Sequence, residues 1–247
     1  MTEIETMPVF DITVEPELVL PSGLAASVSE MDGNDHALLT PRTHKKHVSG
    51  IDILLSRRAL INGEEITSEE ARGLLEGDRA ALLIHLRRLS YGDQLQTRVK
   101  CPDEYCDNHM KPFPCEATLS DEDLKIEPYP LGDTRRTVVE VGERRIELSL
   151  YTGDVSMRLL KMGDPHVLKV LKAREPVELI QQDGKEIKRG VKLEDEKARF
   201  IVELDYKIRH LEPDMSHLQI CVHCPECGAE VNLPILSDAS FLFPQLT

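Results

Sequence analysis

Short stretches of alternating apolar and polar residues predict a β-hairpin in each half of the chain. Residues 17–20 and 25–29 flank a Pro-Ser-Gly turn, and residues 137–141 and 145–150 flank a Gly-Glu turn. Successive side chains point to opposite faces of a strand, so this period of two is typical of half-buried strands joined by a tight turn. The polar residues 180–191 are predicted to form a further hairpin or a loop.

Apolar residues three or four positions apart predict helices between these strands. Residues 48–61 carry such a stripe, and Thr67 and Glu70 have the spacing of a capping box that begins a shorter helix. A longer helix, for which Asp78 is the expected N-cap, ends before Gly92. The apolar residues of a final helix are Ile201, Leu204, Ile208 and Leu211. Strands and helices mixed in this order predict an α+β fold.

One short phrase occurs in both halves of the chain. Residues 95–102 read Leu-Gln-Thr-Arg-Val-Lys-Cys-Pro, and residues 218–225 read Leu-Gln-Ile-Cys-Val-His-Cys-Pro. Each copy follows a hairpin and helices at similar spacing, which predicts an internal duplication. The two modules are residues 1–127 and 128–247, each built from a β-hairpin, helices and a knuckle hairpin, and the acidic, Pro-containing residues 121–135 link them. Convergence of short motifs is the alternative explanation.

Each copy of the phrase leads into a pair of cysteines with the pattern of a zinc knuckle. The second pair, Cys224 and Cys227, is followed by glycine, and the first pair, Cys101 and Cys106, has a longer gap of four residues. In a zinc ribbon, two knuckles give four thiolates to one tetrahedral ion. We therefore predict a Zn²⁺ ion bound by all four cysteines at a shared, zinc-ribbon-like site.

Other residues are alternative ligands at this site. His109 could replace Cys106, Cys221 could replace either cysteine of the second knuckle, and a contribution from Cys115 stays open. Four protein ligands leave no coordination position for water or substrate, so we expect the ion to be structural. Because its ligands come from both halves of the chain, we expect its removal to separate or unfold the modules.

Composition restricts the partners of the protein. The 44 acidic and 30 basic residues give a formal net charge of −14, which repels nucleic-acid phosphates and anionic membrane surfaces. Aromatic residues make up 4% of the chain and Trp is missing, which disfavours binding by base stacking. The chain shows neither a secretory signal nor the run of about 20 apolar residues that spans a bilayer. We expect a protein of the reducing cytosol, where clustered cysteines favour metal over disulfides.

Catalytic motifs are not recognisable in the sequence. We find no Gly-rich phosphate loop, no nucleophile elbow and no His-Glu-x-x-His pattern. The acidic runs at residues 121–123 and 194–196 fit a linker and a helix start better than a catalytic pair of carboxylates. The prediction is that the protein is not an enzyme and has no catalytic residues.

A set of short segments carries a family resemblance. They are Leu-Pro-Ser-Gly at 20–23, Gly-Asn-Asp at 33–35, Gly-Ile-Asp-Ile-Leu-Leu at 50–55, the helical run 77–93 and Val-Lys-Cys-Pro at 99–102. Together they resemble the baseplate hub assembly chaperone family of contractile-tailed phages, which also occurs in phage-tail-like contractile injection systems. The resemblance covers residues 15–240 and implies no catalytic residues. It implies binding or assembly of hub and baseplate proteins in the bacterial host cytoplasm, with the protein also a candidate component of the finished particle.

These observations together predict a non-enzymatic, zinc-stapled scaffold that binds protein partners. Its hairpins offer strand edges that can accept a strand of the partner, and its negative charge suits a basic partner whose binding weakens with salt. The alternative is a zinc-ribbon nucleic-acid-binding protein, which needs a basic face. The residues around the knuckles are instead acidic: Asp103, Glu104, Asp107, Glu226 and Glu230.

Overall fold

The computed structural model describes residues 18–39, 44–120, 124–163, 166–215 and 218–234. Within these ranges the chain forms eight α-helices, two four-stranded antiparallel sheets and two two-stranded ribbons. This confirms the predicted α+β class. Part of the predicted linker, residues 121–123, lies outside the described residues.

The first half contains one sheet, five helices and one ribbon. The sheet contains β1 (Leu18–Val19), β2 (Ala25–Val28), β3 (Ala59–Ile61) and β4 (Glu64–Glu65) in that order, with α1 (Gly33–Leu39) and α2 (His44–Arg58) between β2 and β3. Next along the chain are α3 (Ser68–Gly73), α4 (Glu76–Tyr91), β5 (Gln94–Val99), α5 (Asp107–Met110) and β6 (Phe113–Thr118). β5 and β6 pair as an antiparallel ribbon.

The second half presents its elements in a similar order. Its sheet contains β7 (Arg136–Val141), β8 (Arg144–Ser149), β9 (Val177–Gln182) and β10 (Lys185–Gly190), with α6 (Gly153–Met162) and α7 (Val167–Ala173) between β8 and β9. A 3-10 helix (Leu193–Asp195), α8 (Ala198–Arg209) and the ribbon of β11 (Gln219–His223) and β12 (Glu230–Pro234) follow. The predicted hairpins in both halves are confirmed, and residues 180–191 form most of the β9–β10 hairpin.

The helix predicted over residues 48–61 ends earlier than its apolar stripe suggests. α2 stops at Arg58, and Ala59 to Ile61 pair with β2 instead. The Asn62-Gly63 turn that follows has φ angles of 53° and 79°, as a two-residue hairpin turn requires. Strand pairing and this turn therefore outweigh the helical spacing, so the predicted end of the helix was wrong.

Asp78 is not the N-cap of the long helix. α4 begins at Glu76 after an N-cap leucine whose side chain makes no capping bond, and Asp78 lies inside the first turn. The first two backbone amides of the helix are satisfied by the second half of the chain, since Glu76 N donates to Tyr151 O (2.9 Å) and Gly77 N to Tyr129 Oη (2.9 Å). A local capping rule cannot detect such distant acceptors. The Thr67–Glu70 capping box of α3, by contrast, is confirmed.

Two apolar clusters form the core, and each includes residues from both halves. The first lies between the β1–β4 sheet and helices α2 to α4, and Leu218 from the second half is buried in it. The second lies under the β7–β10 sheet and against α7 and α8, and Leu75 from the first half is buried in it. The predicted division into residues 1–127 and 128–247 stays a prediction, but the two halves share their cores.

A close backbone approach joins the halves where the start of α6 meets buried ion pairs of the first half. Asp52 of α2 is fully buried and pairs with Arg72 (2.8 Å) and Arg79 (2.9 Å). Gly153 lies against this group so closely that a Cβ atom there would be 2.7 Å from the Arg72 carbonyl oxygen and 2.8 Å from the Arg79 guanidinium. Glycine is therefore required for α6 to pack against α3 and α4.

Candidate metal centre

The four predicted cysteines lie at the ends of the two ribbons. Cys101 comes two residues after β5, and Cys106 directly precedes α5. Cys224 directly follows β11, and Cys227 lies in the turn that leads to β12. β6 and β11 contact each other, which brings the two cysteine-bearing turns together.

The structure places the four sulfur atoms of these cysteines within 4.8 Å of one another. Cys101 Sγ is 3.4 Å from Cys227 Sγ, and Cys106 Sγ is 3.7 Å from Cys224 Sγ. Zn–S bonds of about 2.3 Å would place tetrahedral sulfurs roughly 3.8 Å apart. All four are free thiols, so the cluster has the size of a metal site and is not a pair of disulfides. The four cysteines could therefore hold a metal ion.

Backbone hydrogen bonds fix the shape of the first knuckle. Cys101 N donates to Asn108 O (3.0 Å), and Cys106 N donates to Asp103 O (3.1 Å). His109 N in turn donates to Cys106 O (2.9 Å). The turn from Asp103 to Cys106 and the bond from Cys101 to α5 thus fold the four-residue gap back, which explains how a spacing longer than the usual two residues still brings both sulfurs to one point.

The second knuckle is a tighter turn that depends on glycine. Cys224 N donates to Ala229 O (2.9 Å), and Gly228 N donates to Cys224 O (2.9 Å). Gly228 has a φ angle of 75°, in the left-handed region that residues with a Cβ atom adopt at a cost. This conformation turns the chain back into β12 directly after Cys227.

Asn108 connects the first knuckle to a sulfur of the second. Its side-chain amide donates to Cys224 Sγ at 3.4 Å. Desolvation by burial raises the pKa of Cys224, but this bond and the backbone amides of Cys227 and Glu226 lower it more strongly, to about 6. The site is therefore built to favour a thiolate at Cys224, and sequence reasoning missed Asn108 because only the meeting of the two ribbons reveals its role.

The neighbouring thiols act in the opposite direction on Cys106. A hydrogen bond from the Asn108 backbone amide lowers the pKa of Cys106, but desolvation and the three nearby cysteine sulfurs raise it to about 12. Desolvation also raises the pKa of Cys101. Four thiolates at this separation repel each other, and a divalent cation supplies the positive charge that allows them to ionise together.

A small apolar cluster supports the four cysteines from beneath. Cys101 and Cys224 are buried with Val99 of β5 and Phe113 of β6. Residues of the second ribbon pack against this cluster: Val222, Ala229, Val231 and Leu233. Both ribbons therefore contribute to one apolar base, which separates two of the four sulfurs from solvent.

The alternative ligands named from the sequence lie outside the group of four. The His109 ring places Nδ1 2.9 Å from the Cys101 carbonyl oxygen, so it is hydrogen-bonded to the knuckle backbone. Cys115 lies opposite Thr97 in the first ribbon and packs against the apolar base. Cys221 is exposed on β11. Within the described part of the chain, only the four predicted cysteines form a cluster with the dimensions of a metal site.

The outer surface of the knuckles is acidic and carries two exposed apolar side chains. Tyr105 and Met110 of the first knuckle are 98% and 77% exposed. The five acidic residues predicted around the knuckles are also exposed: Asp103, Glu104, Asp107, Glu226 and Glu230. A surface of this charge is unfavourable for a nucleic-acid backbone.

None of the helices that the structure describes has the length and apolar character needed to cross a bilayer.

Comparisons of the chain with protein-family models, with curated proteins and with solved structures found no match. The resemblance to baseplate hub assembly chaperones therefore stays a prediction from the quoted segments.

Proposed function

We propose that the protein is a non-enzymatic assembly factor or component of a contractile-tail baseplate, a scaffold stapled by a structural zinc ion that binds hub proteins. The observation that carries this proposal is the meeting of two knuckles from distant parts of the chain, since Cys106 and Cys224 are 118 positions apart. Four thiolates fill the coordination sphere of Zn²⁺, so an ion bound in this way stabilises the fold and does not take part in a reaction. The choice of hub proteins as partners rests on the quoted family resemblance.

Zinc is the metal that this donor set suits best. Four cysteine sulfurs at tetrahedral separations are typical of structural Zn²⁺ or of iron–sulfur chemistry, and hard cations such as Mg²⁺ and Ca²⁺ prefer oxygen ligands. We assign the ligands as Cys101, Cys106, Cys224 and Cys227. The Cys-Pro-Glu-Cys-Gly turn, with its glycine in the left-handed region, is the shape of a zinc knuckle.

An internal duplication accounts for the similar order of elements in the two halves. Each half runs through a hairpin, two helices, a second hairpin, a helical segment and a ribbon, where the helical segment is α3 and α4 in the first half and a 3-10 helix and α8 in the second. In each sheet, the four strands also lie side by side in the order in which they occur along the chain. We infer that the two modules arose from one ancestral unit, and that the metal joins the ribbon of one copy to the ribbon of the other.

The test is co-expression of the tagged protein with candidate hub proteins, namely those encoded beside its own gene. We expect at least one of them to co-purify, and we expect the complex to dissociate as salt is raised because the chain carries a formal charge of −14. Absence of every hub and baseplate protein from the purified sample would contradict the proposal. Retention of duplex DNA by the purified protein would instead favour the nucleic-acid-binding alternative.

A further inference from the structure

The outer strand of the second sheet has an uncovered edge. Among the residues that the structure describes, β10 pairs only with β9, and all six of its residues, Lys185 to Gly190, are exposed. It is much longer than the edge strands of the first sheet, β1 and β4, which have two residues each. An open edge of this length presents a row of backbone donors and acceptors that a further strand can use.

The hairpin turn determines which backbone groups of β10 point outward. Asp183 and Gly184 have φ angles of 52° and 70°, so they form a two-residue turn of the mirror-image type. Residues that flank such a turn, here Gln182 and Lys185, exchange backbone hydrogen bonds, and bonded pairs then alternate along the ladder. The N–H and C=O groups of the residues at 186, 188 and 190 therefore point away from β9.

Three charged side chains of β10 form ion pairs with residues of the neighbouring strands in the same sheet. Lys188 bonds Glu147 of β8 and Arg189 bonds Glu178 of β9. Glu186 receives a hydrogen bond from Arg145 of β8 at 3.1 Å. Charged side chains normally protect an edge strand from pairing because a partner strand would have to bury them. Here they are already engaged with neighbouring strands, so the backbone edge is fixed in place and accessible.

The side chains along this edge are basic, unlike the protein as a whole. β10 contains three basic residues and one acidic residue, in a chain whose formal charge is −14. Including the ion-pair partners on β7 to β9 gives six basic and three acidic side chains: Arg136, Arg144, Arg145, Lys185, Lys188 and Arg189 against Glu147, Glu178 and Glu186. A second copy of the chain would bring two such basic edges together, so self-pairing is disfavoured.

The opposite edge of the same sheet is occupied. α8 packs beside β7, and Lys207 of that helix donates to the Glu140 carbonyl oxygen. Glu140 is one position from the two-residue turn at Gly142 and Glu143, and its backbone groups therefore point outward. A further strand could not add to this edge without displacing α8.

We propose that the β10 edge binds a partner protein by accepting an extended segment with acidic residues on either side of an apolar residue. Lys185, Ile187 and Arg189 lie on one face of β10, so a partner strand of the form Glu-x-Val-x-Glu would place its carboxylates beside the two basic residues and its apolar residue beside Ile187. This inference rests on the proposed function and deepens it by naming the contact surface and the chemistry of the bound segment. The segment is acidic because this edge is locally basic, although the net charge of −14 suits a basic partner as a whole.

The probe is a labelled peptide, Thr-Glu-Thr-Val-Thr-Glu-Thr, titrated into the full-length protein by fluorescence anisotropy at low salt. We expect saturable binding that the Lys188→Pro variant weakens about tenfold, because proline removes an outward N–H without touching the bonds to β9. Lys188→Ala is the matched control, since it loses the same ion pair but keeps the N–H. The peptide with lysine in place of glutamate should bind at least about tenfold more weakly.

Three results overturn the proposal: no saturable binding, equal affinity of Lys188→Pro and Lys188→Ala, or a dimer in sedimentation that Lys188→Pro dissociates. The last result would assign the edge to a second copy of the chain. If Lys188→Pro does not fold, Glu186→Pro against Glu186→Ala tests another outward N–H. The peptide assay uses no hub protein, so its outcome is separate from that of the co-expression test.

Discussion

Asp78 is a buried carboxylate in the first turn of α4, and it links that helix to the first hairpin. One of its oxygens accepts a hydrogen bond from Ser22 N at 2.9 Å, and the other has no hydrogen-bond partner among the described residues. Desolvation by burial raises the pKa of Asp78 to about 6, although the Ser22 bonds act against the shift. The folded protein therefore binds this proton more tightly than the unfolded chain does.

Asp78→Asn should change how stability depends on pH. The pKa of Asp78 is higher in the folded state, so its contribution to stability is complete below pH 4 and is lost as the pH rises through 6. The variant lacks this loss, so its free energy of unfolding should increase relative to wild type by about 1 kcal/mol between pH 5 and 7.5. Urea unfolding at both pH values measures the difference. For the control, Asp195→Asn at an exposed residue, the difference in free energy of unfolding from wild type should be the same at both pH values. The same result for Asp78→Asn would refute the raised pKa of Asp78.

Gly153→Ala tests the close approach of α6 to the buried arginines. The new methyl group would meet the Arg72 carbonyl oxygen at 2.7 Å, so the helix must shift. We expect a loss of about 1–3 kcal/mol in the free energy of unfolding, as is usual for overpacked sites. Gly33→Ala is the control because no atom of the described residues lies within 4 Å of a Cβ atom there. Equal melting temperatures for the two variants would show that the interface is looser than the structure indicates.

Among the helices and strands, the sequence correctly predicted the features that residues close together in the chain determine. The capping box at Thr67 and the turns of both main hairpins are set by residues close together in the chain, and the structure confirms them. The end of α2 and the start of α4 were wrong because distant partners decide both. Ala59 to Ile61 pair with β2, and Tyr129 and Tyr151 accept from the first amides of α4. The Asn62-Gly63 pair was a local signal that could have corrected the first of these errors.

Tyr129→Phe isolates one of the long-range acceptors that begin α4. The substitution removes the hydroxyl oxygen that accepts from Gly77 N and leaves that buried amide without a partner. The free energy of unfolding should fall by about 1–3 kcal/mol. Tyr206→Phe, at a tyrosine 62% exposed on α8, should leave stability unchanged. Chemical denaturation measures the free energy of unfolding of both variants. If that of Tyr129→Phe equals the wild-type value, a water molecule replaces the hydroxyl as the acceptor for Gly77 N.

At the scale of the whole molecule, the halves are joined at two places rather than one. The knuckles meet at the four cysteines, and Leu75, Leu218 and Gly153 connect the cores and helices elsewhere. The repeated phrase was enough to predict the four clustered cysteines, because their spacing is a local property. The second junction has no sequence motif, since it consists of ordinary apolar residues and one glycine whose meaning depends on tertiary packing.

Chelation should therefore loosen the ribbons without separating the halves, which revises the expectation from the sequence that metal removal separates or unfolds the modules, because the halves also share their cores. Apparent zinc-binding free energies of about 10–16 kcal/mol in finger peptides show how much stability such a site can contribute. After metal removal, we expect faster hydrogen exchange in residues 94–118 and 219–234 and retained protection in α4. Mass spectrometry of the exchanged protein measures both, with Cys115→Ser as a control that should keep its metal. Unchanged protection of the ribbons would contradict a stabilising metal, and loss of protection in α4 would contradict the second junction.

X-ray absorption at the zinc edge on the purified protein, with the metal content determined on the same sample, tests the four-cysteine zinc site most directly. We expect one zinc ion per chain with four sulfur neighbours at about 2.3 Å. Nitrogen or oxygen neighbours at about 2.0 Å, fewer than four sulfurs, or no stoichiometric metal would contradict a site formed by Cys101, Cys106, Cys224 and Cys227.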